Sequence, residues 1–101
     1  MPYLIIWEFV PHAASRAEFE RLYGPHGDWA RLFERGAGFL GTQLLRDSQD
    51  PSRYLTLDRW DSRQAYEDFL HRHEKEYRAL DLRCESLTLR ESPLGTFEEA
   101  E

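Results

Sequence analysis

The stretch Arg53–Leu70, RYLTLDRWDSRQAYEDFL, decides how the rest of the chain is arranged. Tyr54, Leu55, Thr56, Leu57 and Trp60 suit a pleated, half-buried strand. The spacing then turns helical at Ala65, Tyr66, Phe69 and Leu70. Asp61 and Ser62 stand at the change, and either side chain can accept from the free amides of a helix N-terminus. Asp61 with Gln64 also has capping-box spacing. Strand, capped turn and helix therefore follow one another without a linker.

Upstream, Tyr3 to Val10 reads as a first strand. Tyr3, Ile5, Trp7 and Phe9 point one way and Leu4, Ile6, Glu8 and Val10 the other. Both sets are mostly apolar, the mark of a strand covered on two faces. Pro11 is expected to end it. Glu8 is the exception; it is read as solvated or ion-paired rather than as a carboxylate in a pocket. Ser15 and Glu18 have capping-box spacing ahead of Phe19, Leu22 and Tyr23. Gly24-Pro25 interrupts that helix. A second piece starts at Asp28 as N-cap, carries Trp29, Leu32 and Phe33, and stops at Gly36. His26 falls in the break and is expected to be exposed.

Phe39 to Arg46 is the second strand, joined by the polar run 47–52 to the strand ending at Trp60. The helix from Ser62 is expected to reach about Cys84, with a possible kink. Ala65, Phe69, His73, Tyr77, Leu80 and Cys84 then share one face. Leu87 to Arg90 makes a short last strand closed by Pro93 and Gly95, and residues 93–101 read as a frayed acidic tail. The order is β-α-β-β-α-β, a ferredoxin-like α+β unit with a four-stranded antiparallel sheet and its helices on one face. The sheet's other face needs a cover, and a second copy of the chain is the simplest one.

The 101 residues fit one domain spanning 1–101, with a core over about 3–92. A hydrophobic share of 41% with 14% aromatics excludes a disordered chain. No apolar run approaches a membrane span, and Tyr3 to Trp7 is too short for a signal peptide. Cys84 is the single cysteine, so no internal disulfide can form. These features favour a cytoplasmic location. The net charge of −6, with no basic patch, argues against nucleic acid as a partner.

Three runs, GFLGTQLLRD, YLTLDRWDSRQAYEDF and LYGPHGDWARLF, resemble the antibiotic biosynthesis monooxygenase-like family of dimeric α+β barrels. The likeness extends over about Tyr3 to Cys84, and Trp60-Asp61-Ser62 followed by Ala65-Tyr66 is its most specific part. It implies a homodimer of two ferredoxin-like sheets packed face to face. It also implies a cavity between helices and sheet. Some relatives convert phenols or quinols to quinones with O2 and no metal or flavin; others degrade haem. The haem-degrading branch uses an asparagine, a tryptophan and a histidine. This chain has no asparagine, Phe69 stands where the tryptophan is matched, and Ala79 falls near the place of the histidine. Haem is therefore not an expected partner.

The chemistry expected from such a likeness needs a base for a phenolic proton and donors to hold the anion. His73 is the candidate base and Tyr77 the group that orients the substrate oxygen. Phe69, Trp7, Trp29 and Trp60 are the candidate walls for a small flat aromatic ligand. The competing readings are a core tyrosine, a histidine at a kink and tryptophans that only fill the interior. His71 and His73 point to different sides of a helix and form no chelate. Cys84 reads as a small buried apolar group. Arg46 and Arg59 are candidates for holding a substrate anion. No phosphate-cradling loop, dinucleotide fingerprint or nucleophile elbow is present. The expectation is an oxygenase-like protein with no cofactor and no metal. A ligand-binding or stress-related module of the same fold is the alternative.

Overall fold

The computed structural model describes residues 1–100; Glu101, the last residue of the acidic tail, lies outside the described residues. The chain begins with β1 (Tyr3–Pro11) and a short 3-10 turn at Ala13–Ser15. Two helices follow, α1 (Arg16–Tyr23) and α2 (Asp28–Phe33), then β2 (Phe39–Arg46) and β3 (Tyr54–Trp60). Two more helices, α3 (Arg63–Arg72) and α4 (Glu74–Cys84), lead through a 3-10 turn at Glu85–Leu87 into β4 (Thr88–Glu98). The strands form one antiparallel sheet in the order β2-β3-β1-β4, with the helices on one face. This is the ferredoxin-like α+β arrangement that the order of elements implies. No helix is long and apolar enough to cross a membrane.

Alternation along β1 assigns the two faces. Tyr3, Ile5 and Phe9 are buried on the helix-facing side, Phe9 against Phe19 and Tyr23 of α1 and Tyr3 against Tyr66 of α3. Trp60, wholly enclosed, meets Phe33, Phe39, Tyr66 and Phe69 with ring centroids 5.2–5.8 Å apart. Cys84 is buried and its thiol pKa is pushed up, first by that burial. On the opposite face Leu4, Ile6, Leu55 and Leu57 are only half-buried, and Leu45 and Phe97 are exposed. Glu8 lies there too, bridged by Arg53 at 2.5 Å and Arg90 at 3.3 Å, so it is an ion-paired carboxylate.

The caps differ in detail from the sequence expectation. Ser62, not Asp61, caps α3, accepting from the Ala65 amide at 3.1 Å. Gln64 instead donates to Asp68, one turn on. Ser15 makes no side-chain cap, because the 3-10 turn precedes α1 and Glu18 pairs with Arg21. Gly27, not Asp28, is the N-cap of α2. The break between α1 and α2 holds an exposed His26, and it depends on a close approach. A Cβ at Gly27 would lie 2.4 Å from the Arg21 carbonyl oxygen and 2.5 Å from that of Leu22. Neither atom can retreat without unwinding α1. Gly27→Ala is expected to cost at least the ~1–3 kcal/mol of an overpacked site in urea unfolding. A change inside about ±0.5 kcal/mol would show the bend to be indifferent to a methyl group.

The largest departure is the C-terminal strand. Pro93 and Gly95 do not close it; β4 runs to Glu98 and pairs with β1 over its whole length. Register shifts between Ile6 and Trp7 and between Val10 and Pro11 absorb the irregularity. Most of the 93–101 segment is therefore sheet, with Glu99 paired to Arg59 beyond its end. Pro11 likewise stays within β1, at its last pairing position opposite Thr88.

Candidate active site

A cavity opens between the helix-facing side of the sheet and the helices. Ile5, Trp7 and Phe9 of β1 floor it, beside Thr56 and Asp58 of β3 and Thr42 of β2. Tyr23, Trp29 and Phe33 come from the first helical pair, and Tyr66 and Tyr77 from the second. Asp81 and Glu91, both exposed, stand at its rim, whereas Asp58 is half-buried and Thr42 and Thr56 are buried. The cavity volume is about 60 Å³. That is more room than one ordered water needs.

The walls are mainly aromatic and the polar groups few. Trp29 meets Tyr77 edge-on at 5.1 Å, and Trp7 stacks beside Phe9 at 6.2 Å. Thr42 Oγ1 donates to Asp58 Oδ1 at 2.6 Å. No cation faces that carboxylate among the described residues, and burial pushes its pKa up to about 6, against the pull of the Thr42 bond. Tyr66 is pushed up to about 12 by burial and then by Asp58. Tyr77 is raised further still, first by burial and then by Tyr66, Asp81, Asp58 and Glu91. Near neutral pH both phenols are donors, and Asp58 is poised to change charge.

Of the residues singled out in the sequence, Trp7, Trp29 and Tyr77 line the cavity. Trp60 and Phe69 do not reach it: each is at most 1% exposed and serves as packing. His73 is also displaced. It sits at φ −118°, ψ 29°, between α3 and α4, and ends one helix as it starts the next. Its ring lies 5.2 Å from that of Phe69, and its Nδ1 is 2.8 Å from a Glu76 carboxylate oxygen. It does not line the cavity, so the assignment of His73 as base is corrected. The bonds from the His73 amide to Phe69 and from the Tyr77 amide to His73 persist across the kink, but the His73 ring turns to Phe69 and Glu76 while Tyr77 reaches the cavity. Arg46 and Arg59 do not line the cavity either, and Arg59 is held by Glu99. Among the described residues no group of three or more His, Cys, Asp or Glu side chains is placed to hold a metal ion.

Fold and cavity together define a ferredoxin-like α+β protein with an aromatic-walled cavity between helices and sheet. A sequence model of the antibiotic biosynthesis monooxygenase family matches residues 2–80, and the chain belongs to that family. Solved structures of similar proteins share the fold. A variant of SnoaB, a cofactor-independent oxygenase from Streptomyces nogalater, is 25% identical with a TM-score of 0.71. That match covers 99% of this chain and 94% of the other. A Deinococcus radiodurans protein, provisionally named an antibiotic biosynthesis monooxygenase, is 16% identical with a TM-score of 0.77. It covers 98% of this chain and 93% of its own. Rv0793 from Mycobacterium tuberculosis is 21% identical with a TM-score of 0.67, each chain covered over 100% of its length. Among curated proteins none matches the chain.

Proposed function

We propose that the chain is a cofactor-independent monooxygenase acting on a small phenol or quinol bound between helices and sheet. The observation that carries this reading is the aromatic cavity in which Asp58 lies beside Tyr66 and Tyr77. The likeness to SnoaB adds weight. Converting a phenol to an ortho-quinone with O2 also forms one water. The substrate loses four electrons and O2 gains four, so no further electron source is required. In this scheme Asp58 accepts the phenolic proton, and the electron-rich phenolate adds O2 at an unsubstituted ortho carbon. Asp58 returns its proton to the peroxide. Loss of the ring C–H proton with O–O cleavage then releases water. Tyr66 and Tyr77 donate to the substrate oxygen, and Tyr77 keeps the orienting role expected of it.

Oxygen uptake with a panel of single-ring phenols and quinols is the direct test. Catalysed uptake with quinone formation and without added metal or flavin is the expected result. Tight binding of a phenol with no turnover would instead favour a ligand-binding module.

The same reading includes a homodimer. Leu4, Ile6, Leu55, Leu57, Leu45 and Phe97 place apolar surface on the sheet face away from the helices. A second copy packed there would cover it, burying the roughly 1,000 Å² or more of a specific contact. Light scattering at micromolar concentration should return twice the 12.0 kDa chain mass. A stable monomer would sink the dimer and leave the cavity argument standing.

A further inference from the structure

The polar side chains of the cavity carry charge of one sign. Asp58 lies at the deep end, Asp81 and Glu91 at the rim, and no Lys, Arg or His lines it. None of the three carboxylates has an ion-pair partner within 4.0 Å among the described residues. The two ends are separated along β1, since Asp58 pairs with Ile5 and Glu91 with Phe9. Four residues of strand correspond to about 13 Å. Tyr77 and the rings of Trp7 and Trp29 lie along the wall of this cavity. Arg59 and Arg90, the cations nearest in sequence to Asp58 and Glu91, are directed to the opposite sheet face by strand alternation.

Such a cavity resists an anion and resists making one. A phenolate formed by proton transfer to Asp58 would still face the Asp81 and Glu91 carboxylates, which disfavours its ionised form. A ligand that brings its own positive charge removes the conflict. Indole and phenol faces attract an ammonium group, as do carboxylates.

We propose that the ligand of this cavity is a phenol bearing a protonated amine, its hydroxyl toward Asp58 and Tyr66 and its ammonium between Asp81 and Glu91. This inference rests on the cavity being the ligand site, as the proposed function requires. A single ring with a short aminoalkyl arm suits the limited volume, with the arm in the open mouth.

Three probes that share a para-substituted phenol ring test it: tyramine, neutral 4-ethylphenol and anionic 4-hydroxyphenylacetate. Their affinities are measured by titration calorimetry or tryptophan fluorescence on the full chain. Tyramine is expected to bind roughly tenfold tighter than 4-ethylphenol, a change typical of a partly desolvated cation–π and carboxylate contact. The acetate is expected to bind weakest. In the Asp81→Asn/Glu91→Gln double variant the ratio of the tyramine and 4-ethylphenol affinities should fall to near one. Circular dichroism checks that the variant is folded, and Glu91→Gln alone, on an exposed edge position, should already lower the ratio. Tyramine binding no tighter than 4-ethylphenol would overturn the inference, as would a ratio that survives both variants. In those cases binding of 4-ethylphenol leaves the proposed function standing. Binding of none of the three would remove both.

Discussion

Asp58→Asn is expected to lower kcat on a phenolic substrate by about 10²–10⁴, the usual contribution of a positioned base. The replacement keeps the shape and still accepts from Thr42, whose hydroxyl is 2.6 Å from Oδ1. It removes only the ability to take a proton. In the native chain kcat/KM should rise with pH through about 6, where Asp58 loses its proton, and the variant should lack that limb. Stability provides a separate readout. Burial raises the folded-state pKa of Asp58 from 3.8 to about 6, so between those values the folded state holds more protons than the unfolded one. Its contribution therefore falls as pH rises through that window, and above it the cost of the buried carboxylate is about 3 kcal/mol. Asp58→Asn should consequently be more stable than the native chain at pH 8, with the difference shrinking toward pH 4. A variant that is fully active, or less stable at pH 8, would rule out this role. Loss of activity with a gain of stability cannot come from unfolding.

Trp29→Ala should cost about 3–5 kcal/mol, the penalty for truncating a large core aromatic. The Trp29 ring is only 7% exposed and meets Tyr23, Phe33 and Tyr77 at centroid distances of 5.1–6.0 Å. It joins α1, α2 and α4 in one contact, so its loss enlarges the cavity and loosens three elements together. Urea unfolding measures the change, and the slope against denaturant should stay near the native value if the fold persists. A shift within ±0.5 kcal/mol would mean that the surrounding helices close over the void unaided.

The order of elements is legible because alternation and punctuation agree along most of the chain. Phe39–Arg46 is bounded by Gly38 and Asp47, and Gly24-Pro25 marks the break in the first helical region. The extent of β4 is not legible, because Pro93 and Gly95 are ordinary stop signals. An edge strand tolerates a proline, since one side of its backbone needs no partner, and a bulge absorbs the lost register. The site is legible only where a side chain is large. Trp7, Trp29 and Tyr77 are conspicuous in the sequence, whereas Asp58 reads as an ordinary polar residue of an alternating strand. Its burial comes from Thr42 on the neighbouring strand and from helices distant in sequence, which no local pattern contains. Tyr66 was visible as one of several apolar positions on a helix, without a sign that its hydroxyl faces a cavity. His73 is a further case: the kink expected in this helix falls at His73 itself, and its ring turns to Phe69 and Glu76 rather than to the cavity.

The shifts of register along the sheet have a consequence for crowded solution. The strand order leaves β2 and β4 with one unpaired side each. An even, straight rim of that kind invites a strand from another molecule to extend the sheet. Here neither rim is even: the β2 pairing slips between Phe39 and Gly41, and β4 carries Pro93 between its two irregular positions. Backbone amides that fall out of step do not align with a fresh ladder. Growth by strand addition, the route to fibrils, is therefore discouraged at both ends of the sheet, at β4 by the same bulges that let it follow β1 to Glu98 and at β2 by its own slip against β3.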